Sequence, residues 1–147
     1  MPNASTSFFG WVAFLLQKYG MLFLRGTGMT LLIALTGTAL GFALGLLVAI
    51  IRTIALPEKK KAGSNAGVIV KRGLLRFVHM LMNVYIQVFR GTPMIVQAVV
   101  IYYGAQYAGV FMDTTFAAVF IISINTGAYM AEIIRGGIVS VDKGQFE

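Results

Sequence analysis

The sequence has no cysteine in 147 residues, and that one absence removes disulfides, thiol nucleophiles and thiolate metal ligands. Histidine is almost as scarce. His79 stands alone, with no His or Cys neighbour to share a metal, so a zinc site is not expected. Acids number only five. No paired carboxylates, Ser/His/Asp set or metal cluster can be read from them, which argues against enzymatic catalysis. Gly26-Thr-Gly28 lacks the third glycine of a dinucleotide fingerprint and the Gly-Lys of a P-loop, so it is not a nucleotide-binding motif. Charge of either sign is thin at 12%, against roughly 25% in an ordinary soluble domain.

What fills the chain instead is apolar surface. Hydrophobic residues make up 58% and the mean hydropathy is +0.81, which predicts an all-α integral membrane protein. The net charge of +7 is unevenly spread: seven of the twelve basic residues lie between Arg52 and Arg76, against the single acid Glu58. In a membrane protein such a cluster marks the cytoplasmic side; nucleic-acid binding is not expected.

The expected organisation is three transmembrane helices at about 27–51, 93–107 and 116–134, with interfacial helices beside them. Residues 1–25 form an N-terminal segment. Its apolar part, Phe8 to Leu24, carries its charge after the apolar block and so lacks the basic start of a signal peptide. Trp11 and Tyr19 suit the headgroup level, and the segment reads as a helix lying on the membrane. Met29 to Ile51 is an uncharged run ending at Arg52, in which Gly37, Gly41 and Gly45 recur every four residues and make one small-residue face. Such a face lets backbones approach closely in lipid, either within this chain or against another subunit. Residues 52–76 read as a basic cytoplasmic loop, with Lys59-Lys60-Lys61 at its centre.

Phe77 to Phe89 is too short to span and has apolar residues at 77, 78, 81, 84, 85, 88 and 89, with His79, Asn83 and Gln87 off that stripe; it reads as an amphipathic helix at the cytoplasmic boundary or as the base of the next span. Arg90-Gly91-Thr92-Pro93 then breaks the helix, with Thr92 suited to an N-cap and Pro93 to the first helical position. The next helix runs to about Tyr107, where Tyr102, Tyr103 and Tyr107 fit an aromatic belt. Gly104 to Thr115 has no Lys or Arg, which puts it outside, and its one acid, Asp113, is placed to cap the last helix. The predicted topology is N-terminus out, three spans, C-terminus in. Lys18 and Arg25 fall on the outer side, against the positive-inside trend.

Few polar residues occur inside the spans. Asn125 and Thr126 lie at the middle of the last one and must find partners, either across a helix interface or along a polar path; Gln97 in the preceding helix is a further candidate for that path. Glu132 and Arg135 are three apart and share a helix face, as a structural ion pair or as part of a gate. Arg90, at the same boundary, could compete for Glu132.

Two stretches taken together, YIQVFRGTPMIVQAVVIYYG (Tyr85 to Gly104) and INTGAYMAEIIRGGIVSVDKGQFE (Ile124 to Glu147), resemble permease subunits of polar amino-acid ABC importers. LRGTGMTLLIALTGTALGFALGLLVAIIR (from Leu24) is similar to that family's first helix. The resemblance implies the front part of a type I importer permease fold, in a bacterial inner membrane. It also implies these partners: a second permease subunit in a homo- or heterodimer, cytoplasmic ATP-binding subunits and an external amino-acid-binding protein. ATP and Mg would be held by the ATPase, with no cofactor on this chain. By the same resemblance, Ser140, Val141, Asp142, Lys143, Gly144, Gln145, Phe146 and Glu147 lead into the ATPase-coupling loop, with Glu147 as the first residue of its Glu-Ala-Ala signature. The chain is then expected to be the front of a longer permease. The alternative is a small membrane scaffold or regulator complete at 147 residues.

Overall fold

The computed structural model describes residues 7–54 and 66–141, and every regular element among them is an α-helix. In chain order these are α1 (Phe8–Thr53), α2 (Ala66–Gly91), α3 (Met94–Tyr107) and α4 (Thr114–Val139).

The first helix differs from the expectation of a surface segment followed by a separate span. It runs unbroken for 46 residues, about 69 Å at 1.5 Å per residue. That is more than twice the roughly 30 Å hydrocarbon core of a bilayer. Gly20, Gly26 and Gly28 do not interrupt it. Glycine weakens a helix by about 1 kcal/mol without removing a backbone donor, and a Cβ at any of the three would meet nothing within 4 Å.

The expected basic loop is also shorter than residues 52–76, because α2 is helical from Ala66 onward; Lys59, Lys60 and Lys61 lie outside the described residues. Phe77 to Phe89 is the second half of this 26-residue helix. Its packed face is rotated from the apolar stripe. Ile86 is buried and Val78, His79, Met82, Tyr85 and Phe89 are half-buried, while Phe77, Leu81, Val84 and Val88 are exposed. Lipid is as apolar as a core, so an apolar residue on a membrane helix does not identify the side that packs.

At 14 residues, or about 21 Å, α3 is too short to cross a bilayer by itself. It counts towards a span only with α2, to which it is joined at a 112° bend. Two helices, α1 and α4, are long and apolar enough to cross alone, and three spans result if the bent pair is one of them.

The two long helices run parallel, side by side. A Cβ added at Gly37 would lie 2.6 Å from Ile122 Cγ2, one at Gly41 2.6 Å from Thr126 Cβ, and one at Gly45 2.5 Å from Met130 Cβ. Each four-residue step along α1 therefore meets a four-residue step along α4. The glycine face packs within the chain, the first of the two roles open to it. Beyond the seam, Val48 of α1, Ile86 of α2 and Ala131 of α4 form a small buried cluster, with Met82 and Tyr85 against it.

The α3–α4 connection is set by local chemistry. Gly109, at φ +82°, ends α3: its N–H donates to Gln106 O and Val110 N–H donates to Ala105 O, a left-handed C-terminal cap that favours glycine. Asp113 then caps α4 as expected, its Oδ2 accepting from Thr115 N at 2.8 Å and Phe116 N at 3.1 Å. These amides, Phe116 first, hold the Asp113 carboxyl below its ordinary range.

Candidate functional site

Two clusters of polar side chains tie the apolar helices together, one at the elbow between α2 and α3 and one at the end of α1 beside α4. Pro93 has no N–H, so Phe89 O loses its usual partner four residues ahead. The helix stops at Gly91, and Thr92 does not become the expected N-cap. Its Oγ1 turns back to donate to Val88 O at 2.8 Å, and the capping position falls to Pro93, which offers no side-chain cap. Gln97 serves the groups left over. Its Nε2 lies 2.9 Å from each of Phe89 O, Thr92 O and Thr92 Oγ1.

The other end of the Gln97 amide is engaged as well. Asn125, mid-way along α4, donates from Nδ2 to Gln97 Oε1 at 2.9 Å, and reaches Phe89 O at 3.4 Å. Gln97 is 7% exposed; a buried primary amide with both ends partnered avoids the cost of an unmade hydrogen bond. Two of the residues expected along a polar path are thus bonded to each other across α3 and α4. Thr126 lies on the glycine seam, its Cβ toward Gly41. A third cross-link comes from Tyr85, whose hydroxyl donates to Ile124 O at 2.6 Å.

At the second place, Glu132 takes the expected bond from Arg135, whose Nε is 3.1 Å from Oε1. Its other oxygen, Oε2, accepts from Arg52 Nη1 at 2.6 Å. Arg90 does not compete for this carboxylate. Its guanidinium lies over the Tyr129 ring, 5.6 Å from the centroid, a cation–π distance. His79 Nε2 is 3.0 Å from Ile51 O, so α2 is pinned to the last turn of α1 beside the ion pairs. Sequence reading missed Arg52, His79 and Tyr85. The signal for Arg52 was its depth, since it ends an apolar run at the level where Glu132 sits near the end of another.

Of the strip expected to begin the coupling loop, only Ser140 and Val141 are described. Ser140 follows α4 as its C-cap, its N–H donating to Gly136 O. Asp142, Lys143, Gly144, Gln145, Phe146 and Glu147 lie outside the described residues. Among the described residues, no group of three or more His, Cys, Asp or Glu side chains could hold a metal ion.

Residues 63–147 match the family model described as binding-protein-dependent transport system inner membrane component. The putative glutamine transport system permease protein GlnP of Rickettsia prowazekii is 34% identical over 137 residues, covering 91% of this chain and 54% of that protein. The arginine transport system permease protein ArtQ of Bacillus subtilis is 48% identical over 64 residues, 43% of this chain and 29% of that one. A crystal structure of an amino acid ABC transporter with histidines superposes with a TM-score of 0.72 at 31% identity, over 96% of this chain and 55% of the other. The chain therefore spans about half the length of the first relative and of the solved structure.

Proposed function

The chain belongs to the family of binding-protein-dependent transport system inner membrane components, and on that premise we propose that it acts in ATP-driven uptake of polar amino acids as a membrane-spanning permease subunit. The observation that carries this reading is the family match over residues 63–147, which takes in the elbow, α4 and the strip after it. The amino-acid class of cargo is supported by the names of the relatives, whose transport systems are described for glutamine, arginine and cystine.

On this reading the chain pairs with a second permease subunit, receives its cargo from an external binding protein, and is driven by cytoplasmic ATP-binding subunits that hold ATP and Mg. The strip from Ser140 to Glu147 begins the contact with those ATPases. Glu132 supports that role mechanically: with Arg52 and Arg135 on one carboxylate, the end of α4 that leads into the strip is fastened to the end of α1. Asn125, Thr126, Gln97 and Glu132 lie beside the path, the first and third bonded as a wall rather than as free binding groups. Arg52, His79, Glu132 and Arg135 share one end of the bundle, while Asp113 and Tyr102 share the other, Tyr102 Oη being 3.4 Å from Thr114 Oγ1. The positive-inside rule puts the basic end in the cytoplasm, hence the N-terminus outside.

The test is uptake by cells in which the gene is deleted and then restored, offered a panel of labelled polar amino acids. Restoration should recover uptake of at least one of them. Equal uptake of the whole panel with and without the gene would overturn the reading in favour of a non-transporting membrane scaffold.

A further inference from the structure

We infer that Gln97, oriented by Asn125, sets the sharp angle between α2 and α3, and that Pro93 only interrupts the helix there. Proline accounts for the missing N–H and for the extended backbone before it, but not for a bend of 112°. What distinguishes the bent arrangement is a bond that a straight one cannot make. In an uninterrupted helix, residues 89 and 97 are about 12 Å apart along the axis, beyond the reach of a glutamine side chain. Here Gln97 Nε2 is 2.9 Å from Phe89 O and from Thr92 O. An interaction present in one conformation and absent in the other shifts the balance between them. The Gln97 amide is held in the donating orientation because its oxygen faces Asn125 Nδ2.

Gln97 and Asn125 are then positioning residues. They fix where α3 leaves α2 and tie that departure to the middle of α4, so a movement of α4 carries the elbow with it. The inference rests on the permease reading only for the elbow's place beside a path; the geometry itself can be tested without transport.

The absence of native cysteine allows spin labels at Met80→Cys and Val100→Cys, both at exposed positions, in the full chain in lipid vesicles. A 112° turn near residue 92 puts these Cα atoms about 17 Å apart, against about 30 Å in a straight helix. The parent should show one short distance. Pro93→Ala should keep it. Gln97→Met, close in volume but unable to donate, should shift and broaden it toward the longer value, and Asn125→Leu should do so in part. A single short distance in Gln97→Met, or a lengthened one in Pro93→Ala alone, would overturn the inference. If Gln97→Met fails to insert, Pro93→Ala decides by itself. Loss of uptake in Gln97→Met with the short distance unchanged would overturn the inference and leave the permease reading standing, whereas a lengthened distance with uptake intact would keep the inference and count against the elbow's place beside a path.

Discussion

Replacing Gly45 with alanine gives a sharp test of the α1–α4 seam. The added Cβ would sit 2.5 Å from Met130 Cβ and 2.9 Å from both Ala131 N and Gly127 O. Carbon atoms rest at about 3.5–4.0 Å, and two of the three obstacles are backbone, so no rotamer change relieves the clash. The helices must part by about 1 Å, at the upper end of the 1–3 kcal/mol usual for overpacking. Removing a glycine returns about 1 kcal/mol of helix propensity, leaving a net loss of about 2 kcal/mol. For a chain of this size that is roughly a 4–8 °C fall in the thermal midpoint, read by circular dichroism in lipid vesicles or mild detergent. Gly28→Ala is the internal control. It lies on the same helix with nothing within 4 Å, and should leave the midpoint unchanged or raise it. Gly37→Ala should fall between, because its two closest obstacles are the Ile122 side chain. Equal effects at Gly28 and Gly45, or none at Gly45, would refute the packing argument.

Other outcomes follow from single contacts. A double-mutant cycle of Arg52→Ala and Glu132→Ala should give a coupling of about 1–2 kcal/mol, above the surface median because the side chains are only 17% and 27% exposed; zero coupling would show that the bond ties nothing. Tyr85→Phe should cost about 1 kcal/mol through the lost bond to Ile124 O, seen as faster amide exchange in the middle of α4, and unchanged exchange would argue against it. Asp113, whose carboxyl is lowered by the Phe116 and Thr115 amides, stabilises the start of α4 fully above the unfolded value of about 3.9. That stability is lost as pH falls through the lower folded value. The Thr115 amide resonance should therefore titrate with a midpoint below about 3.9, and a midpoint at or above it would refute the cap.

Much of this was legible in local sequence. The break at Arg90 to Pro93, the Asp113 cap, the Glu132–Arg135 pair and the glycine face each depend on residues a few positions apart, and periodicity or capping chemistry reads such spacings directly. The unread features depend on partners far along the chain or on the solvent. Arg52 reaches Glu132 across 80 residues, which requires knowing that α1 and α4 run parallel and in which register. The packed face of α2 could not be read from its apolar stripe, because Phe77, Leu81, Val84 and Val88 are as well served by lipid as by a core. The continuity of α1 was hidden by Gly20, Gly26 and Gly28, which weaken a helix without ending it. At the elbow, proline signalled an orphaned carbonyl, but nothing in the spacing said that Gln97 and Asn125 would serve it.

The proposed transport can be measured as uptake by reconstituted vesicles. The permease is placed together with the proposed ATP-binding subunit and external binding protein, with a labelled polar amino acid on the binding-protein side. Accumulation should require both ATP on the opposite side and the binding protein. Accumulation independent of ATP, or none in vesicles whose ATPase is shown to be active, would contradict the proposed transport.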